Sequence, residues 1–136
     1  MDQSFLASYR FSDHLPKDCP PHEAEPVAGE VYRGIKKGRL RAEDFLSHRE
    51  QGIRCSGDEC LCCGLSVWVD LRAAKHAVSM IPYMRKWKIA KASLSPRHGV
   101  IKHTPEHQPD HYTYWPDKRN DCCQLFSIID AVLPNV

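Results

Sequence analysis

Residues 55–70 read Cys-Ser-Gly-Asp-Glu-Cys-Leu-Cys-Cys-Gly-Leu-Ser-Val-Trp-Val-Asp, so a cluster of cysteines runs directly into an apolar stretch. The apolar run 64–69 is typical of a largely buried strand. Asp70 follows it and is well placed to cap the N-terminus of a helix. Pro82 stops that helix, whose apolar residues at helical spacing are Leu71, Ala74, Val78 and Ile81. This strand and helix are the strongest local signals for the fold.

The chain on either side predicts one more helix and several more strands. Residues 30–35 are rich in β-branched and aromatic side chains and predict a strand, while residues 41–51 predict an amphipathic helix that ends at Gly52. Further strands are predicted at residues 87–94, 99–104, 111–115 and 124–129, with prolines in the intervening turns. The order β-α-β-α-β-β-β-β predicts a single α+β domain over residues 29–136, in which a mostly antiparallel sheet carries two main helices on one side.

Residues 1–28 differ in composition from the rest of the chain. They contain four prolines, five acidic residues and two basic residues, which predicts an extended N-terminal arm with one short helical turn near Phe5 and Leu6. The arm is too apolar for a disordered tail, so we expect it to dock in a groove of this chain or of a protein partner. The residues expected to dock are Phe5, Leu6, Tyr9, Phe11 and Leu15.

The length and composition of the chain predict its cellular compartment and whether its cysteines are reduced. A chain of 136 residues buries enough surface to fold without covalent cross-links. The first ten residues lack the basic and apolar regions of a signal peptide, and no apolar run approaches the about 20 residues that span a bilayer. We therefore expect a cytoplasmic protein with no membrane partner, whose seven cysteines are reduced and form no disulfide framework.

The cysteine cluster also suggests a structural zinc site. Cys60 and Cys63 form a C-x-x-C pair followed by Gly64, the local arrangement in which two thiolates bind one tetrahedral ion, and Cys55 is a third candidate ligand. The candidates for a fourth ligand are Cys122, Cys123, His98, His103, His107 and His111. The alternative is a set of reduced cysteines without metal. A thioredoxin-like redox role is not expected, because the residues after the pair predict a strand rather than a helix.

The distribution of charge favours phosphate-bearing partners. Residues 71–105 contain eight basic and no acidic side chains, although the whole chain has a formal charge of only +2. One hypothesis is therefore a non-enzymatic basic module that binds nucleic acid or a protein partner and that could also hold the structural zinc. The alternative is an ordinary solvated face. The predicted contact residues are Lys36, Lys37, Arg39, Arg41, Arg85, Lys86, Lys88 and Lys91.

Two short motifs carry a resemblance to a known enzyme family. Tyr32-Arg33-Gly34 in the first predicted strand and Gly64-Leu65-Ser66-Val67-Trp68 in the second together resemble an ADP-ribosyltransferase. The resemblance implies a domain that binds NAD or a related nucleotide, and it leaves open whether the domain is catalytic. A planar guanidinium that can pair with pyrophosphate oxygens is consistent with it.

The resemblance also implies roles for individual residues. Arg33 would bind the phosphates or ribose of NAD, and Ser66 would shape the nicotinamide pocket. Tyr32, Trp68 and Tyr112 would supply the aromatic lining. A glutamate commonly stabilises the transition state in this family, and the candidates for that position are Glu106 and Gln124.

Overall fold

A computed structural model describes residues 4–105 and 108–129 of the chain. Within these residues seven strands form one antiparallel sheet in the order β1-β5-β6-β3-β2-β4-β7. The strands are β1 Glu25–Pro26, β2 Gly29–Ile35, β3 Leu65–Trp68, β4 Lys88–Leu94, β5 Gly99–His103, β6 His111–Pro116 and β7 Ser127–Ile128. The helices are α1 Glu59–Cys62, α2 Leu71–Met80 and α3 Cys122–Leu125, with 3-10 turns at Ser4–Ser8, Ala42–Phe45, Pro82–Met84 and Pro96–His98. The predicted α+β class with an antiparallel sheet is confirmed.

Helix α2 forms where the sequence predicts it. The Asp70 carboxylate accepts a hydrogen bond from the Ala73 amide at 3.2 Å, and the helix ends before Pro82. Its buried face packs on one side of the sheet. The cluster at this interface comprises Tyr32, Trp68, Ala74, Ala77, Val78, Met84 and Ile89.

The opposite side of the sheet is covered by the 42–45 turn and by α3. Phe45 of the turn and Phe126, which directly follows α3, contact each other with their ring centroids 5.0 Å apart. Beneath them lie the alternate residues of the central strands, including Val31, Ile35, Leu65, Val67, Ala90, Ala92 and Tyr114. Because successive side chains of a strand point to opposite faces, Arg33 lies on this side of β2 whereas Tyr32 lies on the α2 side.

Two predicted elements differ from the structure. The helix predicted at residues 41–51 is only the 3-10 turn Ala42–Phe45, because Phe45 and Leu46 alone cannot make a continuous apolar stripe and Leu46 is already extended. The strand predicted at residues 124–129 begins as helix α3, since the Asp121 side chain accepts a hydrogen bond from the Cys123 amide at 2.9 Å. Within that stretch Ser127 and Ile128 pair with β4, and the Ile129 amide donates a hydrogen bond to the Ile89 carbonyl at 2.8 Å.

The N-terminal arm packs against the β5 and β6 part of the sheet. The predicted helical turn near Phe5 is present as Ser4–Ser8, and the apolar arm residues contact the buried side chains of Val100 and Trp115. Three polar contacts fix the arm's first half: Tyr9 Oη donates to the Pro96 carbonyl at 2.6 Å, the Arg10 amide donates to Asp117 at 3.2 Å, and the Lys118 amide donates to the Arg10 carbonyl at 2.7 Å. The groove that receives the arm therefore belongs to this chain, and a protein partner for the arm stays a prediction.

Four of the seven cysteines form disulfides, which contradicts the expectation that all are reduced. Cys19 in the arm is bonded to Cys60 in α1, and Cys55 is bonded to Cys62. Cys63, Cys122 and Cys123 are free. The sequence could not indicate the first bond, because docking of the arm is what brings together two cysteines separated by 41 positions.

Candidate nucleic-acid interface

Two basic segments meet at one end of the sheet. Strand β2 ends at Ile35, which pairs in register with Lys88 at the start of the antiparallel strand β4. The residues that follow β2 therefore lie beside those that precede β4. We call this surface the basic edge, and its cations are Lys36, Lys37, Arg39, Arg85, Lys86 and Lys88.

All six cations of the basic edge are exposed, and among the residues that the structure describes none of them forms an ion pair. The other two predicted contact residues differ. Arg41 is paired with Asp44 at 3.0 Å, and Lys91 is paired with Glu30 at 3.4 Å. Of the eight predicted contact residues, only the six of the basic edge therefore have a positive charge that is not already paired within the described part of the chain.

Two aromatic rings lie within the basic edge. The 3-10 turn Pro82–Met84 leaves Tyr83 73% exposed, and its ring centroid lies 5.7 Å from that of the half-buried Trp87. The Lys36 ammonium lies 5.7 Å from the Trp87 ring centroid, within the range of a cation–π interaction. An exposed ring on a surface that also carries cations is suited to stacking on a nucleobase while the cations contact phosphates.

Gly34 determines how closely Trp87 approaches strand β2. A Cβ atom at this position would lie 2.9 Å from Met84 Cε and 3.0 Å from Trp87 Cε3, so a larger residue would have to displace both side chains. The prediction from sequence included the cations but missed Tyr83 and Trp87. The sequence did contain a signal for these two rings. Both lie in the stretch 71–105, which has no acidic residue, and they lie on either side of Arg85 and Lys86.

The residues predicted to bind NAD are distributed over both faces of the sheet. Arg33 donates from Nε to the Asp44 carbonyl at 3.0 Å and from Nη1 to the Ser66 carbonyl at 2.8 Å. Burial lowers the pKa of Arg33 to about 10, so the side chain is still protonated at neutral pH. The exposed Ser66 side chain lies on the α2 side of the sheet by strand alternation, opposite to the Arg33 side chain.

Most of the aromatic residues predicted to line the NAD pocket belong to the hydrophobic core. Tyr32 and Trp68 are register partners buried beneath α2, and the Tyr32 hydroxyl donates to Glu30 at 3.0 Å. Tyr112 is half-buried on the other face, with its ring centroid 4.8 Å from that of His103. Of the two catalytic candidates, Gln124 is exposed on α3 and Glu106 lies outside the described residues. The structure thus brings the two motifs onto adjacent strands without gathering their side chains in one pocket.

The three cysteines predicted to bind zinc are not available together. Cys55 and Cys60 belong to two different disulfides, and only Cys63 is a thiol. Within residues 4–105 and 108–129 no three His, Cys, Asp or Glu side chains are arranged to hold a metal ion. Zinc binding therefore remains a hypothesis for a reduced form of the protein.

The three thiols line one cleft of about 240 Å³. We call it the arm cleft, because Phe11, Ser12 and Leu15 of the arm form one of its walls. Burial raises the pKa of Cys122 to about 11 and raises the pKa of Cys63 and of Cys123. The thiols are therefore protonated at neutral pH and are weak nucleophiles there.

None of the described helices has the length and apolar character needed to cross a membrane. Comparison of the chain with protein-family models, with curated proteins and with solved structures found no match.

Proposed function

We propose that the protein binds single-stranded nucleic acid through the basic edge. The observation that carries this proposal is the position of exposed Tyr83 among six exposed cations, which the register of β2 and β4 places at one end of the sheet. The cations would contact phosphates, and the tyrosine ring would stack on a base. A single strand is favoured over a duplex because its bases are unstacked and open to an aromatic ring.

Salt dependence follows from the number of cations. If all six contact phosphates, release of counterions from a single strand gives a slope of about −4 in a plot of log K against log salt concentration. Affinity should therefore fall by roughly two to three orders of magnitude between 50 and 200 mM salt. We expect this result in fluorescence anisotropy titrations of labelled 20-nucleotide oligouridylate and oligothymidylate, with weaker binding of a duplex of the same length.

Two variants separate stacking from charge. Tyr83→Ala should weaken binding by about 5- to 150-fold with little change in the salt slope, because it removes a stacked ring and no charge. The double variant Lys37→Gln/Arg85→Gln should reduce the slope by about 1.4. Lys17→Gln is the control, since Lys17 lies exposed in the arm on the β5 and β6 side of the sheet. Absence of binding at 50 mM salt by the folded protein, or equal losses in Lys17→Gln and the basic-edge variants, would rule out the proposal.

NAD binding is a second candidate function. It is supported by the placement of the two motifs on adjacent strands, where the Arg33 guanidinium is bonded to the Ser66 carbonyl. Isothermal titration should then detect NAD binding by the wild type. Arg33→Lys should weaken it by at least about tenfold, because lysine keeps the charge and loses the planar fork. A folded wild-type protein that gives no heat of binding with NAD would remove this candidate.

A further inference from the structure

The C-x-x-C pair presents a thiol and a disulfide on the same side of one helical turn. Cys60 is bonded to Cys19 of the arm, and the Cys63 thiol donates a hydrogen bond to the His14 carbonyl of the arm at 3.4 Å. The Cys63 amide donates to the Cys60 carbonyl at 3.1 Å, which is the hydrogen bond of a 3-10 turn. Side chains three positions apart eclipse each other in such a turn, so both sulfurs face the arm.

The neighbouring sulfurs are placed less favourably for reaction with Cys63. Cys62 is bonded to Cys55, and adjacent residues of a helical turn point about 100° apart, so Cys62 does not lie on the same side of the turn as Cys63. Cys122 and Cys123 share the arm cleft with Cys63 but belong to α3. Cys60 is thus the disulfide sulfur that lies on the side of the turn occupied by Cys63.

We propose that Cys63 and Cys60 form an intramolecular thiol–disulfide exchange site that breaks the covalent link between the arm and α1. The Cys63 thiol loses its proton to solvent, and the thiolate attacks the sulfur of Cys60. A Cys60–Cys63 bond forms as the Cys19–Cys60 bond breaks, and the departing Cys19 thiolate takes up a proton. The protein contains two disulfides and three thiols before and after the step, so no external oxidant or reductant takes part.

Exchange would remove the covalent link of the arm segment that lies between two other attachments. On one side, the Arg10 amide donates a hydrogen bond to Asp117, which also accepts a hydrogen bond from Arg119 at 2.6 Å. On the other side, β1 pairs with β5. The segment between them includes Phe11 and Leu15, which form a wall of the arm cleft. Exchange therefore removes the covalent link and the Cys63 hydrogen bond from this wall of the cleft and leaves the sheet intact. The apolar contacts of the wall and the ion pair of Asp13 with Lys118 remain.

The environment of Cys63 makes the exchange slow at neutral pH. Burial and the charges of Glu59 and Glu50 raise the pKa of the thiol, whereas Arg49, which pairs with Glu59 at 2.6 Å, lowers it. The ionisable groups that line the same cleft from other segments are Lys118, Asp121, Cys122 and Cys123. Since only the thiolate attacks, the rate should rise about tenfold for each pH unit below the pKa of Cys63.

The exchange is tested by trapping Cys19 in the native protein. Wild-type protein is incubated without reductant at pH 6.5, 7.5 and 8.5 with dilute N-ethylmaleimide, and its disulfides are mapped by tandem mass spectrometry. We expect alkylated Cys19 together with a Cys60–Cys63 peptide, at a rate that rises about tenfold per pH unit. Alkylation of Cys63 with no modification of Cys19 at any pH would overturn the proposal.

Matched variants assign the reaction to Cys63. Cys63→Ser should abolish alkylation of Cys19, whereas Cys123→Ser, which removes another thiol of the same cleft, should leave it unchanged. Cys19→Ser should contain a Cys60–Cys63 bond after air oxidation, since Cys60 has lost its partner in the arm. Labelling of Cys19 in Cys63→Ser at the wild-type rate, or two alkylatable thiols at positions 60 and 63 in folded Cys19→Ser, would each contradict the assignment.

Discussion

Replacing Trp115 with alanine is expected to lower the free energy of unfolding by about 3–5 kcal/mol, because it empties the centre of the interface between arm and sheet. The Trp115 side chain is 1% exposed and packs with Val100, Ala24 and the apolar residues of the arm. Its indole N–H also donates to the Cys60 carbonyl at 3.1 Å. A loss of this size is a large part of the total stability of an ordinary domain. Urea unfolding monitored by circular dichroism measures it.

Trp115→Phe is the control that separates packing from hydrogen bonding. Phenylalanine keeps most of the apolar contact but cannot donate to the Cys60 carbonyl, so a smaller loss of about 1–2 kcal/mol is expected. If Trp115→Ala unfolds at nearly the same urea concentration as the wild type, the arm does not dock on Trp115 as described.

Gly64→Ala is expected to lower the free energy of unfolding by about 1–3 kcal/mol through overpacking. Gly64 lies between the cysteine turn and β3, and a Cβ atom there would overlap Thr113 Cγ2 and lie 3.1 Å from Trp115 Nε1. Thr113 is buried and its hydroxyl is hydrogen-bonded to that of Thr104 at 2.9 Å, so it cannot easily move aside. The same denaturation experiment measures the loss.

A second substitution tests the cause of that loss. Thr113→Ser removes the overlapping methyl group and keeps the hydroxyl bonded to Thr104, so the double variant should be more stable than the sum of the single changes by about 1 kcal/mol or more. Gly38→Ala is the matched control, because nothing lies within 4 Å of a Cβ atom at that position. Strictly additive effects of Gly64→Ala and Thr113→Ser would show that the predicted overlap is not the cause.

The parts of the fold that the sequence predicted are those with local signals. Helix α2 combines an aspartate cap, helical apolar spacing and a terminating proline, and all three act within twelve residues of each other along the chain. Helices α1 and α3 were missed because one turn is too short to show apolar periodicity, although Asp58 and Asp121 cap them. The pairing of Cys19 with Cys60 depends on packing of the arm and has no local signal.

The cations of the basic edge could be predicted from the sequence, but their arrangement in space could not. The cations of residues 36–39 and 85–88 are evident in the sequence, but only the pairing of Ile35 with Lys88 brings the two groups together. Strand pairing has the opposite effect on Arg33 and Ser66, whose side chains it keeps apart. The pairing of Tyr32 with Trp68 puts those two rings on one face, and the Arg33 side chain consequently lies on the face opposite to that of Ser66.

The strand order has a consequence for how the two ends of the molecule influence each other. The arm lies over β5 and β6, while the basic edge is formed at β2 and β4, and β3 separates β6 from β2. With strands about 4.8 Å apart, this separation exceeds the screening length of about 8 Å at physiological ionic strength. Substitutions of charged residues at the two ends should therefore have additive effects on stability. Chemical change at Cys19 should likewise leave the affinity of the basic edge for an oligonucleotide unaltered.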